Sequence, residues 1–329
     1  MSRDSASVDC IGTDLVVLGA GPGGCAAAIS ALQSGRTVAM LETQTSPHVS
    51  PGETLHPGVE PLFRRLGVWN ALLDCGFHRH RGIWRESKDG RRIFEPYGRD
   101  QAGPWLGFQV DRSQLDQIFR TRATDLGGKI ETISRLDSLL QHDNATVRGV
   151  SADHRAFHAP FVLDGTGRHS WLAGKLNLTA ERFNPNQRVR FGWTKEAMPD
   201  LDGQPLFRQR RDGWDWQAPL GDGSSAWTGL RHTSDAGGID FSWRIFRECA
   251  GAGYFLLGDA ACLMDPSAAN GVLRALMSGI YAVHLITAIQ KRAIFRHDAV
   301  IEYRRWIGEM FDRSLKVWRT AVSQSNGAL

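Results

Sequence analysis

Apolar residues gather into short unbroken runs, and four of those runs end in glycine or an acidic residue. Leu15-Val16-Val17-Leu18 leads into Gly19, and Thr37-Val38-Ala39-Met40-Leu41 stops at Glu42. Phe161-Val162-Leu163 ends in Asp164-Gly165-Thr166-Gly167, and Tyr254-Phe255-Leu256-Leu257 runs into Gly258-Asp259. Runs of this length without polar alternation predict strands covered on both faces, as in a parallel sheet. Helical spacing is expected from Val59 to Leu73 and again at Ile307, Phe311, Leu315, Trp318 and Val322. Val110 to Phe119 reads as a strand end followed by a helix capped by Asp111 or Ser113. Pro51 to Gly58 reads as a turn-rich loop. Residues 77–108 and 183–248, rich in Trp, Gly and Arg with short alternating segments, predict a second sheet.

The first two runs enclose Gly19-Ala20-Gly21-Pro22-Gly23-Gly24, which places Gly19, Gly21 and Gly24 at G-x-G-x-x-G spacing between a strand and a helix. Such glycines serve a tight turn, the approach of backbone to a pyrophosphate, and close helix–strand packing. The helix N-terminus offers N–H groups and a positive dipole end to phosphate. Glu42, about 20 residues on, accepts from ribose hydroxyls and repels a 2′-phosphate, so FAD or NAD fits the pattern and NADP does not. The junctions at Gly19, Asp164 and Gly258 are expected to converge at the carboxyl edge of one sheet.

The chain has 329 residues, 42% hydrophobic and 22% charged, with a formal charge of +4. These values fit one large or two ordinary globular domains. The basic residues are scattered, so no nucleic-acid surface is expected. Five cysteines without C-x-x-C spacing suggest reduced packing thiols and no metal site. No signal peptide is apparent, and Arg274 and His284 interrupt the longest apolar stretch, Val272 to Ile289. The expectation is a cytoplasmic protein without membrane association.

The block from Tyr254 to Pro266 resembles the second FAD fingerprint of flavoprotein hydroxylases, the FAD-dependent monooxygenase superfamily. That resemblance implies an α/β fold with a Rossmann-like FAD-binding domain, a mainly parallel sheet and an inserted, mostly β substrate-binding layer. It gives Asp259 the ribityl chain and Pro266 to Gly271 the pyrimidine edge of the flavin. Arg112 matches the family's cofactor-contacting arginine, and Asp164 the acid of its Asp-Gly motif. The implied FAD-binding part comprises 1–76, 105–182 and 250–329, with 77–104 and 183–249 forming the substrate layer. Within the superfamily the chain is most similar to the branch of tryptophan halogenases, geranylgeranyl reductases and quinone-cofactor maturation flavoproteins. Glu53 lies in a loop similar to that branch's G-E-S/T-x-x-P, and Trp214 and Trp216 lie in a stretch similar to W-x-W-x-I-P. The resemblance covers nearly the whole chain, with length missing between Arg231 and Gly251.

Halogenases carry a lysine in a segment like 76–81, where this chain has none, and a Glu and Ser-Thr where it has Ala268-Ala269-Asn270. The resemblance therefore implies hydroxylation of an electron-rich, indole- or tryptophan-like substrate through a flavin C4a-hydroperoxide. NAD(P)H or a partner flavin reductase would supply electrons. His56, His78 and Asn270 are the candidate catalytic groups, since His titrates near neutrality. His80 is a further acid/base candidate. Trp214 and Trp216, two apart on a strand, share one face and are candidate substrate walls, with Trp193, Trp227 or Trp243 as helpers. The alternatives are a tryptophan halogenase-like enzyme, an isoprenoid double-bond reductase, a maturation partner docking a client protein, and a degenerate fold without turnover.

Overall fold

The computed structural model describes residues 10–43, 52–143, 146–183, 186–195, 198, 201–233 and 237–326. The apolar runs become neighbours in a six-stranded sheet. Its order is Lys129–Ile133, Val38–Thr43, Leu15–Leu18, Phe161–Asp164, Tyr254–Leu256 and Ala250–Gly251. Every pair is parallel except the last. Leu18 is level with Leu41 and Asp164, and Asp164 with Leu256, so the carboxyl ends finish along one line. Leu15 to Leu18 are fully buried, which explains their lack of polar alternation.

One face is covered by the helices Pro22–Leu32 and Gly271–Gln290. Small residues let these two helices nearly touch: a methyl on Gly279 would stand 2.4 Å from the Gly23 carbonyl oxygen. By length and composition Gly271–Gln290 is long and apolar enough to cross a membrane, but half of it is buried inside the protein. The final helix, Arg296–Asn326, buries Tyr303, Ile307, Phe311 and Leu315. Trp318 packs near Trp243, and the Val322 side chain lies outside the described residues. Tyr303 anchors this helix to the sheet by donating its hydroxyl to the Leu256 carbonyl at 2.8 Å.

A seven-stranded sheet stands beside this body. Its order is Ile239–Asp240, Gln187–Thr194, Ser225–His232, Gly213–Pro219, Leu206–Arg210, Gly82–Glu86 and Arg92–Pro96. Only the Leu206–Arg210 and Gly82–Glu86 pair is parallel.

Three local outcomes differ from the sequence pattern. Gly52–Leu55 is a strand rather than loop, because Gly107–Asp111 offers it a partner; the flanking prolines and glycines masked that pairing. The Val59–Leu73 helix is broken into Glu60–Leu66 and Trp69–Asp74 at Gly67, whose φ of +73° closes the first helix. His78–His80 and Trp243–Phe246 stand outside the large sheet. The first pairs with Gly107–Asp111, the second with Ala180–Phe183 and Cys262–Leu263. Asp111, rather than Ser113, caps the helix Arg112–Asp125, accepting from the Gln114 N–H at 3.0 Å.

Candidate cofactor and substrate site

The three strand-to-glycine junctions meet. The Gly165 N–H donates to the Leu18 carbonyl at 2.7 Å, and the Leu257 N–H to the Asp164 carbonyl at 2.8 Å. Gly19 adopts φ +86°, and a Cβ there would lie 2.6 Å from the Gly165 oxygen. A Cβ on Gly24 would fall 2.0 Å from the Gly19 oxygen. Gly21 is different: among the described residues no atom lies within 4 Å of its ideal Cβ, and the same holds for Gly271 at the mouth of the second helix. Space has been left in front of two helix N-termini, each with a positive dipole end, which is what a dinucleotide pyrophosphate and an electron-rich ring require.

Charged groups surround this space. Glu42 accepts a hydrogen bond from the Ala20 N–H, and Arg120 donates to the Ala20 carbonyl at 3.2 Å. Arg112 donates to Asp116 at 2.9 Å and to Glu53 at 3.3 Å. Burial raises the carboxyls of Glu53 and Asp259 above their ordinary range. Arg112 opposes this for both, and Arg274, Arg244 and Arg168 do so for Asp259. The donors and acceptors fit FAD: acids for its hydroxyls, guanidinium groups for its phosphates.

Asp164 is placed differently from the residues that face the space. One of its oxygens accepts from the Thr166 N–H and hydroxyl at 2.8 and 2.6 Å, the other from the Leu172 N–H at 2.7 Å. It is fully buried and holds its own turn in shape.

The large sheet reaches the site through its tryptophans. Trp214 donates its indole N–H to Asp265 at 3.1 Å, and Trp216 donates to the Thr54 hydroxyl at 2.8 Å. Asp265 precedes Pro266 and Asn270; Thr54 follows Glu53. The W-x-W strand is thereby seated on the Gly52–Leu55 strand and on the loop before the Gly271 helix. Asp265 is buried, which raises its carboxyl, and it also accepts from the Ser267 N–H at 2.8 Å. Trp227 and Trp243 do not join this wall. Thr228 stands opposite Trp216, so its neighbour Trp227 points to the other face, its ring over Gly192. It borders a cavity of about 460 Å³ that Trp193, Trp216, Arg208 and Gln217 also line. Trp243 is buried against Phe311.

Each of the three histidines is bonded to a backbone group. His56 caps a short turn by accepting from the Gly58 N–H at 3.1 Å, and partial burial lowers its pKa. His78 is bonded to the Gly203 carbonyl at 2.6 Å. His80 is buried, which lowers its pKa to about 4. Asn270 sits at the cap of the Gly271 helix without using its side chain there. Cys262 is buried with its thiol pushed up to about 12, consistent with packing.

Sequence reading missed Asp116 and Arg120, although both follow Arg112 at four-residue spacing on one helix face.

A family described as FAD binding domain matches residues 12–204. A flavin-dependent halogenase of Armillaria mellea is 26% identical over 89% of this chain and 70% of its own length. A tryptophan 2-halogenase of Chondromyces crocatus is 25% identical over 89% of the chain and 64% of its own. A menaquinone reductase of Mycobacterium tuberculosis is 27% identical over 83% of the chain and 76% of its own. Among solved structures, a myxobacterial chondrochloren halogenase superposes with a TM-score of 0.80 at 20% identity, covering 90% of this chain and 79% of that one.

Proposed function

Since the chain belongs to the FAD binding domain family, within the FAD-dependent hydroxylase-like superfamily, we propose that it is a halogenase-like oxidoreductase acting on a small electron-rich aromatic substrate. The observation that carries this reading is the seating of Trp214 and Trp216 on Asp265 and Thr54, which ties the W-x-W strand of the large sheet to the segments beside the glycine-edged space. The halogenase relatives favour this over the hydroxylation that the residues alone had implied.

In this reading Gly19, Gly21 and Gly24 make room for the FAD pyrophosphate, with Arg112 beside it and Glu53 holding Arg112. Glu42 takes the adenosine ribose, Asp259 the ribityl chain, and Pro266 to Gly271 the pyrimidine edge. Asp164 supports the glycine edge through its turn. When bound, FAD supplies two-electron reduction and activation of oxygen. Electrons come from NAD(P)H or a partner flavin reductase. The chain's own residues orient the ring beside Trp214 and Trp216, and excluding water there favours one electrophilic outcome over hydrolysis or leakage.

Hydroxylation is the second reading. Residues 76–81 hold no lysine, and the buried His80 stands there instead. The test is incubation of the FAD-loaded protein with a flavin reductase, NADH, oxygen, an aromatic panel, and chloride or bromide. A halogenated product that requires the halide supports the proposal. An oxygenated product formed equally without halide moves the assignment to hydroxylation, and no product from any aromatic overturns both.

A further inference from the structure

The seven-stranded sheet has a second face, turned away from Asp265 and Thr54. Trp214 and Trp216 point toward those two residues, so Asp215 and Gln217, which alternate with them along the strand, point the other way. Strand register sorts that face into rows. One row runs Leu206, Gln217, Trp227 and Gly192; the next runs Glu86, Arg208, Asp215 and Gly229. The cavity of about 460 Å³ lies across the two: Leu206, Gln217 and Trp227 of the first row line it together with Arg208 and Asp215 of the second. Trp216 meets it as the residue between Asp215 and Gln217.

Trp227 is set there as a platform. An ideal Cβ on Gly192 would stand 3.0 Å from Nε1, Cε2 and Cζ2 of the Trp227 ring alike. An edge-on ring would leave Cε2 the farthest of the three, so the indole lies flat over Gly192, where the absent side chain makes room for it. Its opposite face stays open, and Trp227 is 38% exposed. A flat indole covered on one side offers the other to a second planar ring in offset stacking.

The neighbouring row supplies charge. Glu86 is shared by Arg92 and Arg208, and Asp215 by Arg210 and Arg231. Each carboxylate stands between two guanidinium groups. Even with the exposed Asp212 at 3.7 Å from Arg231, arginines outnumber acids in these clusters among the described residues. Glu86 also holds Arg208 in place at the cavity, and a planar guanidinium in a fixed position suits a carboxylate.

We propose that this face carries an accessory binding site for a planar aromatic carboxylate, its ring stacked on Trp227 and its carboxylate turned toward Arg208. A neutral planar ring takes the stack without the charge, and a saturated-ring carboxylate takes the charge without the stack. The site lies across the sheet from the residues assigned to FAD, so it stands apart from the reaction proposed above.

Calorimetric titration of the FAD-loaded protein with 2-naphthoate, 2-naphthamide and cyclohexanecarboxylate tests it. 2-Naphthoate is expected to bind at least about tenfold more tightly than either of the others, with an affinity that FAD-free protein reproduces within about twofold. Trp227→Ala removes an exposed ring, so melting should follow the wild type while 2-naphthoate affinity falls about fivefold or more. Arg208→Gln should weaken 2-naphthoate about five- to tenfold and leave 2-naphthamide unchanged within about twofold. Equal affinity for the three probes, or 2-naphthoate binding that Trp227→Ala leaves intact, overturns the proposal. Binding that FAD abolishes overturns it too, since that result puts the probe at the flavin edge instead.

Discussion

Gly21→Ala and Gly24→Ala add the same methyl group three residues apart, and the structure gives them opposite consequences. At Gly21 the backbone is extended, with φ −80° and ψ −177°, a conformation open to alanine, and no atom lies within 4 Å of the new carbon. Alanine caps a helix less well than glycine but restricts the unfolded chain; both effects are about 0.5–1 kcal/mol and nearly cancel. At Gly24 the methyl would sit 2.0 Å from the Gly19 carbonyl oxygen and 3.2 Å from Val17 Cγ1. That oxygen belongs to the backbone and cannot rotate away. Overpacking costs about 1–3 kcal/mol, and a backbone clash stands at the top of that range or beyond it, against about 1 kcal/mol gained in helix propensity. A net loss of roughly 2 kcal/mol lowers Tm by about 3 °C in a chain of 329 residues. The FAD-free proteins are compared by thermal melting, and FAD affinity by quenching of flavin fluorescence. Gly21→Ala is expected to melt with the wild type within about 1 °C yet bind FAD at least tenfold more weakly, about 1.4 kcal/mol. Wild-type FAD affinity in Gly21→Ala, or equal destabilisation by both variants, refutes the claim that Gly21 reserves space for the pyrophosphate.

Arg112→Met leaves Glu53, Asp116 and Asp259 facing one another, and urea denaturation at pH 7 should show a loss of about 2–3 kcal/mol that shrinks toward pH 5 as the carboxyls protonate. Burial raises the Asp265 carboxyl above its unfolded value, so its contribution to stability is fully present below the ordinary carboxylate range and lost as pH rises through the raised value. Asp265→Asn removes that dependence, and its Tm relative to wild type should climb between pH 4 and 8; parallel curves would refute the assignment. Asp259→Ala should release FAD on gel filtration, whereas Asn270→Ala should retain it and slow product formation, a division that equal flavin loss would contradict. Trp216→Phe should cost about 1 kcal/mol in thermal melting through the lost bond to Thr54, and a melting curve superimposable on wild type would refute that bond.

Local chemistry carried much of this architecture. Runs such as Leu15–Leu18 and Phe161–Leu163 could only be strands covered on both faces, and glycine spacing with Glu42 fixed where a dinucleotide lies. Those signals are legible because they depend on neighbours within one turn or one strand. Gly52–Leu55 was illegible for the converse reason: its strand character comes from pairing with residues more than 50 positions away. Asp164 shows the same limit, since a motif names an acid but not which atoms occupy its oxygens. The seating of the W-x-W strand was the least visible part: Trp214 bonds to Asp265 and Trp216 to Thr54, residues 51 and 162 positions away. By itself the sequence pointed to the ligand class that the sheet edge serves. The tertiary structure alone decided which buried partners those indoles take, because a buried polar environment is built by distant segments together.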